Sequence, residues 1–383
     1  MIGVIDNRML RITFKYRLYP TRAQAVFLDG QLREAASLYN AALEERIGAW
    51  KTCRTSIGFY DQCKQLPAMR ADGCLTMVNA HCAQEVLRRV DKAYRAFFAR
   101  VKRGEKPGFP RYRSARRYDS ITFTSHGNGC RLLENGKLRI QGAGHVKIKL
   151  HRPVQGTIKT VIIRREAGRW FACFSAECNP VPLPANDRAT GIDVGLNNFA
   201  VLADGTEIQN PRYYRNAEAR LRRCQRKLAR RKKGSNRRRK AVQLLQRAHA
   251  HVRNQRADFH HKVSRRLVNE YGMIAVEDLN VKGLAGGMFA KSVHDAGWNS
   301  FVEMLVYKAA DAGRQVVKVD PCGTSQICLC GARVPKTLSD RWHDCHSCGL
   351  SASRDHVSAQ VILSRAGNRP LGANVEDAIS CVS

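Results

Sequence analysis

Three acids stand where apolar segments begin or end: Asp193 in GIDVGLNN, Glu277 in IAVEDLN and Asp355 in SRDHVSAQVIL. An acid at the edge of an apolar strand lies at the rim of a sheet, and taken singly it is most simply a hydrogen-bonded or helix-capping carboxylate. Three of them converging would repel one another strongly unless a cation sat between them. Carboxylate oxygens suit hard ions, so the chemistry on offer is a Mg²⁺ or Mn²⁺ site. A pair of such ions about 3.5–4 Å apart activates water and stabilises the leaving oxygen in phosphodiester hydrolysis. Asp278 adjoins Glu277, but along a strand it would face the other way.

A second constellation lies near the C-terminus. Cys345-x2-Cys348 followed by Gly349 has the spacing of a zinc-knuckle half, whereas Cys328-Leu-Cys330-Gly331 is one residue shorter than the usual pair. Four thiolates around Zn²⁺ would fold a short segment that has little core of its own. His343, His346 or Cys322 could replace one member of the contracted half. The other cysteines (Cys53, Cys63, Cys74, Cys82, Cys130, Cys173, Cys178, Cys224, Cys322 and Cys381) show no paired spacing and read as small buried hydrophobes in a reducing compartment.

The third signal is charge. The 383 residues carry 66 Lys+Arg against 32 Asp+Glu, a formal net charge of +34. So large a single-sign excess destabilises a compact state through self-repulsion, and a polyanion relieves it. A hydrophobic content of 44% excludes a disordered basic tail. From Arg220 to Lys240, 13 residues are Lys or Arg and none is acidic. Without interleaved acids there are no i,i+4 ion pairs to support a merely solvated helix. A phosphate-tracking helix from Tyr213 to about residue 256 is the better reading, with Arg220, Arg222, Arg223, Arg226, Lys227, Arg230 and Arg231 as candidate nucleic-acid contacts. Tyr112, Tyr118, Tyr213, Tyr214 and Trp170 lie in basic neighbourhoods and could stack on bases. No apolar run approaches the length of a membrane span, and the N-terminus lacks the apolar region of a signal peptide. A soluble, intracellular protein is expected.

These groups need elements to hold them. Residues 9–19 alternate as a half-buried strand, with Ile12, Phe14, Tyr16 and Leu18 on the apolar face. Pro20 ends it, and Thr21 with Gln24 forms a capping-box signature for a helix to about residue 50. A second helical stripe covers about 75–102. After the Gly- and Pro-rich segment GEKPGFPRYRS, the runs SITFT, KLRI, HVKIKL, TVIIRRE and RWFACFSAEC read as strands. With the first strand they predict one barrel-like β-domain into which a helical lobe at 20–105 is inserted. NPVPLPAND at 179–187 reads as a linker. Beyond it, strands carrying the acids alternate with helices, the pattern of an α/β domain.

Taken in order, GIDVGLNNFAVLADG, IAVEDLNVKGL, SVHDAGWNSF, GTSQICLCG and DCHSCGLSASRDHVSAQVIL resemble the TnpB (OrfB) proteins of insertion sequences. FKYRLYPTRAQ, AYRAFF and GFPRYRS extend the resemblance over nearly the whole chain. It implies an α+β multidomain architecture: a wedge-type β-barrel (1–20 and 106–182) with an inserted helical recognition lobe (21–105). A RuvC-like, RNase H-fold α/β nuclease domain (183–320 and 351–368) would follow, with an inserted zinc ribbon (321–350) and a C-terminal tail (369–383). By motif, Asp193, Glu277 and Asp355 become the Mg²⁺-binding catalytic acids, and Cys328, Cys330, Cys345 and Cys348 the zinc ligands. The implied activity is an RNA-guided, Mg²⁺-dependent DNA endonuclease that leaves 3′-hydroxyl and 5′-phosphate ends. Its partners would be a guide RNA and double-stranded target DNA, in a prokaryotic cytoplasm at the nucleoid, as a monomer on one RNA. Asn79, Gln84, Thr124 and Ser125 are candidates for reading a short adjacent motif on the duplex. The chain departs from the family pattern at the contracted Cys328–Cys330 pair, at Ser353 where Asp is usual, and at Ser358 where Asn is usual. Three alternatives remain open: a minimal type V CRISPR effector, a non-cleaving RNA-guided regulator, and a guide-free nuclease acting on branched DNA.

Overall fold

The computed structural model describes residues 9–368 except Leu338, with the backbone alone at Lys282 and Asn368. The expected tail at 369–383 and Cys381 lie outside the described residues. The chain divides into two compact units at Asn179.

In the first unit, β1 (Leu10–Tyr19) buries Phe14, Tyr16 and Leu18 on one face, as its alternation requires. α1 (Arg22–Cys53) starts on the expected capping box: the Thr21 hydroxyl accepts from the Gln24 amide, and the Gln24 side chain accepts from the Thr21 amide. α2 (Phe59–Ala71) has no counterpart in the apolar periodicity, because only Gln62 and Leu66 are buried along it and Pro67 interrupts its pattern. α3 (Ala80–Lys102) begins later than the apolar stripe suggests. The chain before it folds back on α1, where the Glu34 carboxylate accepts from the amides of Met77 (2.8 Å) and Val78 (3.1 Å).

Six strands follow: β2 (Ser120–Phe123), β3 (Cys130–Leu132), β4 (Lys137–Ile140), β5 (Gly144–Lys149), β6 (Thr157–Glu166) and β7 (Arg169–Cys178). With β1 they form a nearly closed, barrel-like antiparallel sheet in the order β2-β6-β7-β1-β5-β4-β3. Sheet and helices share one core, in which Phe14, Val161 and Phe174 join Leu28, Leu32 and Leu43 of α1 and Val86 and Val90 of α3. Tyr118 and Trp170 belong to that core, at 1% and 7% exposure, so they are not free to stack on bases. The scattered cysteines are mixed: Cys82, Cys130, Cys178 and Cys224 are buried, but Cys53, Cys74 and Cys322 are exposed.

The second unit comprises β8 (Ala189–Val194), β9 (Asn198–Leu202), β10 (Glu207–Gln209), α4 (Tyr213–Ala229), α5 (Asn236–Glu270), β11 (Met273–Glu277), α6 (Val281–Leu284), α7 (Ala290–Ala296), α8 (Trp298–Ala312), β12 (Gln315–Val319), β13 (Trp342–Asp344), β14 (Ser351–Ser353) and α9 (Arg354–Leu363). Its main sheet has the order β10-β9-β8-β11-β12. β10, β9 and β8 pair antiparallel, whereas β8, β11 and β12 run parallel. Ile192, Phe199, Leu267, Val276, Phe301 and Leu305 pack a core between this sheet and helices α5 and α8. The expected linker is docked on this unit, since the Leu183 amide donates to Ala312 and the Asn186 side chain to the Glu270 carbonyl.

The basic segment is not one helix. Gly234 at φ 86° breaks it, and the Ser235 hydroxyl caps α5 by accepting from Arg238. The result is a hairpin in which Leu221 and Cys224 of α4 meet Ala248 and Val252 of α5. Its first helix lacks a side-chain cap of its own. Asp295 of α7 supplies one, accepting from the Tyr214 and Arg215 amides at 2.8 and 3.3 Å.

Candidate active site

β8 and β11 are adjacent parallel strands, registered Ile192 to Val276, so Asp193 and Glu277 leave the sheet at the same end. α9 lies against β8, and Asp355 is in its first turn. The approach of α9 depends on Gly191. A Cβ there would stand 2.0 Å from the Ala359 carbonyl oxygen and 2.7 Å from the Leu363 amide nitrogen. Gly191→Ala must therefore push α9 and its acid outward. We expect a loss of about 3 kcal/mol in stability, seen as a lowered thermal midpoint, because backbone cannot move aside as a flexible side chain can.

Asp193 feels the other two carboxylates. Burial raises Asp193 well above the ordinary carboxylate range, the charges of Glu277 and Asp355 raise it further, and Arg354 opposes them. Burial also raises Glu277, against the pull of the Thr324 hydroxyl and Arg365. Asp278 is turned away, with its carboxylate 3.0 Å from Lys318 Nζ, as strand alternation requires. Arg354 Nε stands 3.2 Å from Asp355 Oδ1. One turn beyond Asp355, the Ser358 hydroxyl is buried without a partner. This crowding of half-buried oxygen donors fits a hard divalent cation, whose charge would offset the mutual repulsion. The carboxylates are more widely spread than the thiols of the second centre, which close to within 4.8 Å of one another.

That second centre comprises Cys328, Cys330, Cys345 and Cys348, with Cys328 Sγ 3.6 Å from Cys348 Sγ and Cys330 Sγ 3.6 Å from Cys345 Sγ. Tetrahedral zinc with bonds of about 2.3 Å requires sulfur–sulfur separations of about 3.8 Å, so the four thiols fit the ion. The one-residue contraction is absorbed in a tight turn, where Gly331 takes φ 89° and its amide donates to the Cys328 carbonyl. His343 is fully buried, with Nδ1 against Lys336 Nζ, and neither it, His346 nor Cys322 joins the thiols. Burial would raise the Cys345 thiol, but the amides of Cys348 and Ser347 hold it down to about 6.

Of the candidate nucleic-acid contacts, Arg220, Arg222, Arg223, Arg226, Lys227 and Arg230 are exposed on α4 or just after it, while Arg231 is half-buried. Arg222 is paired with Glu218 at 3.0 Å. A basic cleft of about 480 Å³ lies on this hairpin between Lys227, Arg231, Arg237, Lys240 and Arg247. In the first unit, Asn79 and the loop after β2 come together at the start of α3. Asn79 accepts from the His81 amide and donates to Gln141 at 2.6 Å, and Asn128 of the loop meets His81 at 3.0 Å. Gln84 and Ser125 are exposed nearby in sequence, and Thr124 is half-buried. Asn79 thus already has structural work as a helix cap. Sequence reasoning passes over Thr324, Arg354 and Asp295, which touch the acids or anchor the basic hairpin. Arg354 adjoins an acid in sequence, which is a signal of its own, whereas nothing in GTSQ marks Thr324.

A sheet that gathers carboxylates, a cluster of four thiols and a basic hairpin, all in one unit, make up the candidate site. Three family models match the chain: OrfB_IS605, described as "Probable transposase", at 173–287; "Cas12f1-like, TNB domain" at 298–362; and HTH_OrfB_IS605, "Helix-turn-helix domain", at 9–54. The last span here holds a strand and one long helix, β1 and α1. A Streptomyces pristinaespiralis protein named "Putative RNA-guided DNA endonuclease" is 32% identical, covering 94% of this chain and 92% of that one. An Escherichia coli K12 protein, "Putative RNA-guided DNA endonuclease InsQ", is 30% identical over 73% of each. The chain belongs to the TnpB (OrfB) family. A solved structure of the mini-RNA-guided endonuclease CRISPR-Cas_phi3 aligns over 96% of this chain and 94% of that one, with 10% identity and a TM-score of 0.48, a likeness too distant to argue from.

Proposed function

We propose that this protein is an RNA-guided DNA endonuclease of an insertion sequence, which cuts DNA matching a transposon-encoded guide next to a short adjacent motif. The observation that carries the reading is the meeting of Asp193, Glu277 and Asp355 at one end of the second unit's sheet, in a chain whose relatives bear that name. In this reading the second unit is a RuvC-like domain of RNase H type, and residues 321–350 are a zinc ribbon inserted in it. Asp193, Glu277 and Asp355 would hold Mg²⁺ or Mn²⁺. When bound, these ions supply the activated water and the charge stabilisation for phosphodiester hydrolysis. The protein's share is to hold three half-buried carboxylates at one end of the sheet, where burial raises Asp193 and Glu277 and a bound cation would have to displace their protons. Arg354 tempers their repulsion, and Thr324 and Arg365 favour ionised Glu277. Cys328, Cys330, Cys345 and Cys348 would hold Zn²⁺.

A non-cleaving regulator would need no such trio, and a guide-free nuclease would need no RNA. Plasmid cleavage by the particle purified with its own RNA separates all three readings. Cutting should require Mg²⁺, disappear on RNase treatment, and be absent in Asp193→Ala. A wild type that cuts no better than Asp193→Ala would overturn the nuclease reading.

The hairpin is read as an RNA- or DNA-tracking surface. Replacing Arg222, Arg223, Arg226 and Arg230 together by Gln should weaken nucleic-acid binding nearly uniformly across sequences. The slope of log K against log salt should become shallower by about 0.7–0.9 for each phosphate that is no longer neutralised. An unchanged slope, measured by filter binding, would remove these residues from the interface.

A further inference from the structure

The thiol ribbon and the carboxylate trio are joined at three points within the second unit. At the entry to the ribbon, the Thr324 hydroxyl lies 2.5 Å from Glu277 Oε1 and 3.1 Å from the Pro321 carbonyl. Its one proton can serve a single acceptor at a time, and an ionised carboxylate is the stronger. At the exit, Arg354 meets Asp355 through Nε, while its Nη1 donates to the carbonyls of Asp340 (2.9 Å) and Thr337 (3.5 Å) in the ribbon's long loop. The Arg354 amide also donates to the Arg341 carbonyl. Beneath both, the ribbon has no separate core: Cys328, Cys345, Leu350 and Ala352 pack with Val357 and Val361, two side chains of the helix that carries Asp355. Each acid that does not belong to β8 is therefore held by a group whose own position depends on the ribbon.

We propose that the ribbon sets the geometry of the divalent-cation site, with Thr324 and Arg354 as positioning residues, so that the affinity of the acids for Mg²⁺ or Mn²⁺ depends on the metal-loaded state of the four thiols. The proposal rests on the trio being the cation site. Thr324 orients the free lone pairs of Glu277 by occupying one of them, and Arg354 fixes the Asp355 carboxylate against the loop. A ribbon that unravels releases both at once, although no cation ligand has been altered.

The test uses the RNA-bound full chain, with zinc content and RNA content measured for every preparation. Thr324→Val removes the hydroxyl at nearly constant volume, and Thr324→Ser restores it. Mn²⁺ binding is read directly by electron paramagnetic resonance, and the Mg²⁺ concentration for half-maximal cleavage is read separately. We expect Thr324→Val to weaken Mn²⁺ binding and to raise the Mg²⁺ requirement about five- to tenfold at unchanged RNA and zinc content, and Thr324→Ser to stay within twofold of the parent. Wild-type particles stripped of zinc should show a larger loss of Mn²⁺ binding in the same direction. Normal Mn²⁺ affinity in Thr324→Val, or in the zinc-stripped particle, would overturn the proposal. Asp193→Asn distinguishes the underlying reading: if that variant also binds Mn²⁺ normally, the carboxylates are not the cation site at all.

Discussion

Asp193→Asn is expected to reduce DNA cleavage by at least about 10³-fold and, in the absence of divalent cations, to make the protein more stable. The first effect follows from removing a carboxylate that would hold a catalytic cation, an interaction worth several kcal/mol of transition-state stabilisation. The second follows from electrostatics. Burial and the neighbouring Glu277 and Asp355 raise Asp193 well above its ordinary value of 3.8. A group whose folded value is raised contributes stability that is fully present below the unfolded value and is lost as pH rises through the folded one. Metal-free protein at neutral pH therefore carries a penalty for ionising this group, or for taking up a proton to avoid it. Asparagine is neutral at every pH and carries neither. Thermal unfolding of the RNA-bound particle in EDTA should show a higher midpoint for the variant, with the difference shrinking as pH is lowered toward 4. Saturating Mg²⁺ should stabilise the parent and not the variant. A variant less stable than its parent in EDTA would mean that Asp193 is held by hydrogen bonds rather than crowded by charge.

The second large effect is expected at the ribbon. Zinc bound by four thiolates in short peptides contributes an apparent ~10–16 kcal/mol at neutral pH, most of it spent on folding the segment. The ribbon's strands β13 and β14 pair over only three residues each. Without the ion that hairpin and a few buried side chains are little to hold it. Cys345→Ser should eject the metal, expose the amides of residues 328–353 to rapid hydrogen exchange, and lower cleavage by tenfold or more. Cys345 is the informative choice because its thiol is already held down to about 6, against burial, by the Cys348 and Ser347 amides. Burial raises Cys328 and Cys348 instead. Loading must displace protons from those two, so zinc affinity should fall as pH drops below neutrality. Retained protection of the ribbon in Cys345→Ser would show that its small core suffices without metal.

Much of this arrangement is legible in the sequence because its signals are local. The alternation at 9–19, the Thr21 capping box and the apolar strands that end in Asp193 and Glu277 each state their own geometry within a few residues. What escapes depends on neighbours distant in sequence. α2 has no apolar stripe to announce it. The basic segment reads as one long helix because charge is blind to a turn, and Gly234 with Ser235 is the available signal that it breaks. Tyr118 and Trp170 look like stacking platforms among arginines until the sheet buries them. Thr324 gains meaning only because a 3-10 turn at Thr324–Gln326 carries it back to an acid 47 positions earlier. The contracted cysteine pair suggests a substitute ligand, yet a left-handed glycine lets both thiols reach the cluster.

The excess of 34 positive charges then has a distribution that function explains, with its densest part on the hairpin between Asp193 and Glu277 in sequence. The central claim is that RNA chooses the DNA and the carboxylates cut it. Its most direct test is to sequence the RNA that co-purifies with the protein, rewrite its guide segment, and assay cleavage of plasmids bearing the old or the new target in Mg²⁺. Cutting should move to the new target and vanish with RNase, with EDTA or in Asp193→Asn. Cleavage that ignored the rewritten guide, or that survived RNase, would contradict the account.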